Sequence, residues 1–149
     1  RRERVAEIDD MGGAPEGMAA ERAAPLATAQ ERAAITAILT DLEVAAAKGA
    51  IDLYLDQNAR FHFAIYRAAR RERLMRAIES LWLRVGPSIR LCMPDQAHLD
   101  RSMVWHRRAA AAMAAGDGPA ARAAVISDIV AAAADMDRTL TQSAPAQET

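Results

Sequence analysis

Two polar side chains lie one helical turn apart in a segment whose other periodic positions are apolar. Asn58 and His62 are separated by four residues, and Leu55, Ile65 and Ala69 continue the same face at steps of three and four. Side chains at positions i and i+4 of a helix project next to each other. At this spacing one helix can supply two ligands to one metal ion. The pair therefore indicates either a metal site or a polar pair that is hydrogen-bonded inside a helical bundle.

His106 and Asp128 interrupt two further apolar stripes, each on a separate segment. The stripe around His106 consists of Met103, Ala110 and Met113, and the stripe around Asp128 consists of Ala121, Val125 and Ala132. Burying such polar groups apart and unpaired would cost on the order of several kcal/mol, whereas around one divalent ion they satisfy one another. We therefore predict that Asn58, His62, His106 and Asp128 converge on one metal site. His98 breaks no stripe and is interpreted as a surface residue.

The elements that must position these residues are helices. About a quarter of the 149 residues are alanine, and only 4 % are aromatic, so the residue types that favour strands are scarce. Glycines and prolines divide the chain into blocks, and the predicted helices cover 2–11, 16–24, 29–47, 50–71, 72–92, 95–115 and 119–141. Thr28 is the predicted N-cap of the third block, and Gly86-Pro87 predicts a kink or break in the fifth. The predicted fold is an all-α antiparallel bundle of six to seven helices.

Composition and charge exclude several classes of protein. A net charge of −1 excludes a free-standing, strongly basic nucleic-acid binder, and a single cysteine, Cys92, excludes a disulfide framework or a cysteine-rich zinc site. The arginines between 67 and 76 are interpreted as a solvated helix junction, because charge runs usually mark exposed faces. No apolar run approaches the roughly 18–20 residues of a membrane span and no secretory signal is visible, so we expect a cytoplasmic protein.

Several motifs together resemble one known family. They are Asn58-Ala59-Arg60-Phe61-His62, Trp105-His106, the Gly116-Asp117 turn followed by alanines, the early run from Glu16 to Ala23, and the apolar positions Leu74, Ile78 and Leu81-Trp82. In this order the chain, from about Glu16 to Thr141, resembles the FCD domain. This is the C-terminal effector-binding domain of the FadR subfamily of GntR-type bacterial transcription regulators. Two ligand positions depart from the family pattern, because Asn58 stands where the family has aspartate and Asp128 where it has a third histidine. A third departure is Arg70-Arg71, where relatives commonly carry a Gly-Asn turn.

The resemblance implies a ligand-sensing domain without enzymatic activity that binds a small carboxylate effector beside a divalent metal, zinc or nickel. It also implies a homodimer and DNA contact only through an N-terminal winged helix-turn-helix that these residues do not contain. The implied division of the chain is an N-terminal segment over 1–15, left from a link to that domain, and a helical effector-binding and dimerisation domain over 16–142. The tail over 143–149 has nothing to bury, so we expect it to be disordered. Arg84 and Arg90 are candidates for binding the effector carboxylate, since a guanidinium matches it bidentately, or are arginines of the surface or a dimer interface.

Two other functions compete with a ligand sensor. A metal-dependent enzyme needs a general base close to the metal, but Asp56 lies six residues before His62, about 120° from its face of the helix. A metal-free structural bundle would instead hydrogen-bond the polar residues of the stripes to one another. Metal analysis of the purified protein distinguishes the metal-free bundle from the ligand sensor and the enzyme, since both of these hold a metal.

Overall fold

The computed structural model of the chain describes residues 13–91 and 94–142, apart from the side chains of residues 88–91 and 140–142. Within these ranges the chain forms α-helices and no strand, which confirms the all-α fold class. The helices are α1 (Ala14–Leu26), α2 (Ala29–Ala47), α3 (Ile51–Arg67), α4 (Glu72–Leu91), α5 (Gln96–Ala115) and α6 (Gly118–Gln142). The predicted helix over 2–11, the tail over 143–149, most of the 1–15 segment and Cys92 lie outside the described residues.

The boundaries of α2 show the local chemistry that the sequence predicts. Thr28 Oγ1 accepts a hydrogen bond from the Glu31 amide at 3.1 Å, and the Glu31 carboxylate accepts one from the Thr28 amide at 2.9 Å. This capping box satisfies two amides that have no partner within the helix. Gly49 follows the helix with a φ of 61°, and Gly116 ends α5 with a φ of 69°, a backbone conformation that glycine adopts readily.

Two prolines lie inside helices: Pro25 does not end its helix as predicted, and Pro87 does not break the helix in which we predicted a kink or break. α1 continues through Pro25 to Leu26. Pro25 leaves the Glu21 carbonyl without its usual helical donor, and Gly118 packs so close to that carbonyl that a Cβ would lie 2.5 Å away. α4 likewise continues through Pro87. The carbonyl that Pro87 cannot bond belongs to Leu83, whose surface is 80 % exposed, so water can reach this part of the helix.

α3 ends at Arg67, four residues earlier than predicted, and Arg70 in the turn that follows adopts a φ of 55°. Its guanidinium makes a double hydrogen bond to the Glu31 carboxylate, at 2.7 and 3.0 Å, which fixes the turn against α2. Arg76 pairs with Glu72 at 2.9 Å. Two of the five arginines in this run are thus paired within the domain, and all five are exposed, which supports its interpretation as a solvated junction.

The core forms around α6, which packs against α5 and α1, while α2 packs against α3 and α5. α1 contributes almost only alanine to the core (Ala19, Ala20, Ala23 and Ala24). Large side chains on α3 fill the centre of the bundle (Tyr54, Phe61, Ile65 and Tyr66). None of the described helices has both the length and the apolar character that crossing a membrane requires.

Candidate metal centre

Three side chains with metal-ligating atoms meet in the core, one from each of α3, α5 and α6. His62 Nε2 lies 3.0 Å from Asp128 Oδ2, and His106 Nε2 lies 3.1 Å from the same oxygen. The two Nε2 atoms are 3.2 Å apart. The three residues expose only 3 %, 1 % and 6 % of their surface. The structure thus brings together three of the four residues predicted to share a site.

The helical registers explain this meeting. Each of the three residues replaces one side chain in an apolar stripe, and each stripe faces the centre of the bundle. Phe61 packs beside both imidazoles, with ring centroids 5.7 Å from His62 and 5.1 Å from His106. Trp82 of α4 also packs on His62, with ring centroids 5.6 Å apart. Aromatic packing therefore holds both imidazoles in place.

Three hydroxyl groups contact the ligand atoms that do not point at one another, which are Nδ1 of each histidine and Oδ1 of Asp128. Tyr66 Oη lies 2.9 Å from His62 Nδ1, and Tyr54 Oη lies 3.4 Å from His106 Nδ1. Ser102 Oγ donates to Asp128 Oδ1 at 2.7 Å. In metal sites such outer contacts fix the tautomer and orientation of the ligands. The sequence analysis did not identify these hydroxyls, although Tyr66 follows His62 by four residues and Ser102 precedes His106 by four.

The electrostatics of the cluster favour a charged Asp128. Burial alone would raise the pKa of its carboxyl, but the charges of His106 and His62 and their hydrogen bonds together outweigh burial and hold that pKa well below its usual value. Burial raises the pKa of the Tyr54 and Tyr66 hydroxyls, so both stay protonated. The centre therefore combines one carboxylate with imidazoles whose Nδ1 atoms have hydroxyl partners.

The donor set fits a divalent ion. Ligands about 2.1 Å from a shared ion are separated by about 3.0 Å at right angles and about 3.4 Å at tetrahedral angles. The separations of 3.0, 3.1 and 3.2 Å between the donor atoms fall in this range. Two imidazoles and a carboxylate are ligands that zinc and other borderline divalent ions accept. The cluster can hold such an ion without a change of fold.

Asn58 lies at the border of this cluster. It is half-buried and lines a cavity of about 340 Å³, which Asp128, Ser102 and Tyr54 also line. The cavity therefore opens directly onto the carboxylate at the centre. A small molecule bound in the cavity would lie beside both Asn58 and Asp128.

The other end of the cavity carries charged residues that the sequence analysis did not place there. His98 is half-buried and its Nδ1 lies 2.6 Å from Asp135 Oδ2, so its interpretation as a surface residue is wrong. Arg101 and Arg138 also line the cavity, and both pair with Asp135. His98 and Asp135 are 37 positions apart on different helices, and no periodicity in the sequence connects them.

Of the two arginines proposed for effector binding, the structure describes the side chain of Arg84. Arg84 is exposed on α4 and does not line this cavity. The side chain of Arg90 lies outside the part of the chain that the structure describes.

Glu16 is a second buried carboxylate that the sequence analysis missed. It accepts a hydrogen bond from Trp82 Nε1, and Trp82 in turn packs on His62. Burial raises the pKa of the Glu16 carboxyl, while His62 and the bond from Trp82 act to lower it. Glu16 thus holds the indole that covers the centre.

Comparison with known proteins assigns the fold to a family. The family model of the FCD domain matches residues 14–140. Among solved structures, the chain is similar to E. coli McbR/YncC, with a TM-score of 0.81 and 24 % sequence identity over 95 % of this chain and 66 % of that chain. The chain therefore spans slightly less than two thirds of the length of that protein, and the likeness shows the fold. No curated protein matches this sequence. The match over nearly the whole helical region shows that the chain belongs to the FCD domain family.

Proposed function

We propose that this chain is the effector-binding and dimerisation domain of a GntR-type transcription regulator of the FadR subfamily. In this proposal His62, His106 and Asp128 hold a divalent ion, zinc or nickel, with Asn58 as the fourth ligand. A small organic acid binds in the adjoining cavity. The observation that carries the proposal is the convergence of three buried donor atoms at the end of a cavity of about 340 Å³.

The protein's own residues would bind and orient the acid. Asn58 offers amide N–H donors in the wall of the cavity, and Leu55 and Ala132 offer apolar surface for the carbon chain. When bound, the ion would supply positive charge that attracts the carboxylate of the effector. The hydroxyls of Tyr54 and Tyr66 would keep the two imidazoles oriented toward that ion.

Regulation would follow from a shift between two arrangements of the bundle. An effector that binds one arrangement more tightly shifts the population toward it, by no more than its difference in affinity for the two. DNA would be bound by an N-terminal winged helix-turn-helix outside this sequence, and the regulator would act in the cytoplasm. This role is regulatory and requires no turnover of the acid.

We also propose that the working state is a homodimer. Leu83 and Val85 present exposed apolar surface on α4, which packs mainly against α1 among the described helices. An isologous contact would bury such surface in both copies. Light scattering at micromolar concentration should give twice the chain mass of 16.1 kDa, and a mass of one chain would contradict a homodimer of this domain.

The proposed function predicts that binding of an acid depends on the metal. Thermal melts would compare protein treated with a chelator and protein reloaded with zinc, each with a panel of small carboxylic acids at millimolar concentration. We expect at least one acid to raise the melting temperature of the zinc-loaded protein and to leave that of the metal-free protein unchanged. Equal shifts in both would contradict a metal-assisted site, and consumption of the acid would favour the metal-dependent enzyme.

The tyrosine hydroxyls predict a graded effect on metal affinity. Tyr66→Phe removes the hydroxyl 2.9 Å from His62 Nδ1, and Tyr54→Phe removes the one 3.4 Å from His106 Nδ1. Loss of such outer contacts typically weakens metal affinity by about 10- to 100-fold. We expect Tyr66→Phe to lie in that range and Tyr54→Phe to have the smaller effect, because its hydrogen bond is longer. Zinc titration calorimetry checks the order, and equal affinities in wild type and both variants would contradict it.

A further inference from the structure

Asp135 lies in the wall of the cavity at the end away from the metal centre. Its side chain is 11 % exposed and contacts three potentially cationic groups. His98 Nδ1 is 2.6 Å away and Arg101 Nη2 is 3.0 Å away. Arg138 contacts the second carboxylate oxygen. Asp135 therefore occupies both arginines of the cavity lining with a carboxylate that belongs to the protein.

The cavity has two charged ends that one ligand could reach together. Asp128 and Asp135 lie on the same helix, α6, seven residues apart, which corresponds to about 10 Å of helical rise. Ala132 and Leu55 line the wall of this cavity and contribute apolar surface. An acid whose carboxylate is at the Asp128 end would extend its chain toward Arg101 and Arg138.

The net charge of the residues that line the cavity, taken together with a divalent ion, is balanced by one bound carboxylate rather than by two. Three carboxylates line the cavity, on Asp95, Asp128 and Asp135, against the two guanidinium groups of Arg101 and Arg138. With neutral histidines the lining has a net charge of −1, and a divalent ion at the centre would change it to +1. A single bound carboxylate neutralises this charge. A second would have to displace Asp135 from the arginines.

We infer that Asp135 is a specificity-determining residue that restricts the cavity to monocarboxylates by keeping Arg101 and Arg138 from a second carboxylate of the ligand. This inference rests on the proposed function of the cavity. It names the class of acid that the cavity selects, a monoanion with an uncharged distal end.

The test compares two acids of equal chain length, butyrate and succinate, by calorimetry on the zinc-loaded protein. We expect wild type to bind butyrate about tenfold or more tightly than succinate, equivalent to about 1.4 kcal/mol. Asp135→Asn frees the arginines and should strengthen succinate binding by about tenfold or more, while butyrate affinity changes by less than about threefold. Adding Arg138→Gln to Asp135→Asn should remove the gain for succinate.

Asp100→Asn is the matched control, because it removes the same charge from an exposed position on α5 that does not line the cavity. It should leave both affinities unchanged. Wild type that binds succinate at least as tightly as butyrate would overturn the role of Asp135 even if Asp135→Asn did not fold. Equal gains for both acids in Asp135→Asn would also overturn it. If zinc-loaded wild type binds neither acid and no other small acid, the proposed function itself fails.

Discussion

Replacing His106 by alanine is expected to abolish metal binding and to remove the stabilisation that the metal gives to the fold. An ion that binds only the native state at about 1,000 times its dissociation constant stabilises that state by about 4 kcal/mol. In a domain of this size, this corresponds to a shift in melting temperature of about 8–16 °C. His106→Ala should therefore melt about 10 °C below wild type in the presence of zinc, and a chelator should lower its melting temperature no further. Thermal melts with and without chelator measure both effects.

Met103→Ala is the control for His106→Ala, because it removes buried packing from the same helix without removing a metal ligand. Met103 is buried in the same stripe of α5, three residues before His106, and supplies no hydrogen bond to the centre. Its truncation should destabilise the protein by about 2–5 kcal/mol through the cavity that it leaves. The chelator should still lower its melting temperature as in wild type. A chelator response that persists in His106→Ala would show that the stabilising ion binds elsewhere.

The second large effect is expected from Asn58→Asp, which restores the residue type of the family. A carboxylate is a better ligand than an amide oxygen for a divalent ion, so zinc affinity should rise by about tenfold or more, equivalent to about 1.4 kcal/mol. Without metal, the new charge lies in the same cavity wall as Asp128, and repulsion between two carboxylates should lower the melting temperature. The variant should therefore be more stable than wild type with zinc and less stable in chelator. Zinc calorimetry and paired melts measure both changes.

Gln57→Glu is the control for charge in this experiment. It adds one negative charge at the position of α3 that precedes Asn58. Gln57 accepts a hydrogen bond from Arg60 and does not line the cavity. Zinc affinity in this control should match wild type. If Asn58→Asp also left zinc affinity and both melting temperatures unchanged, Asn58 would have no part in the centre.

The periodicity of the sequence predicts the centre because an antiparallel bundle turns every apolar stripe inward. His62, His106 and Asp128 each replace one apolar residue in such a stripe, so their burial follows from register alone. Their contact across three helices satisfies polar atoms that would otherwise be buried without partners. The N-cap at Thr28 is also predictable from the sequence, because its hydrogen bonds join residues only three positions apart.

Contacts between distant segments cannot be predicted in this way. Glu16 lies in the first turn of α1, a common place for an exposed acidic residue, and its burial and its hydrogen bond from Trp82 of α4 depend on how the helices pack. His98 and Asp135 meet because α5 and α6 pack side by side, and neither residue interrupts an apolar stripe. The contact between Arg70 and the Glu31 carboxylate of α2 is another that joins distant segments, 39 positions apart.

The most direct test of the metal centre is an anomalous difference map from crystals grown with zinc, recorded at the zinc absorption edge. We expect one peak among His62, His106 and Asp128, about 2.0–2.2 Å from both Nε2 atoms and from a carboxylate oxygen. Zinc-saturated crystals with no peak at this position, in which both imidazoles bond directly to Asp128, would contradict a metal centre. The cluster would then be a structural hydrogen-bond network.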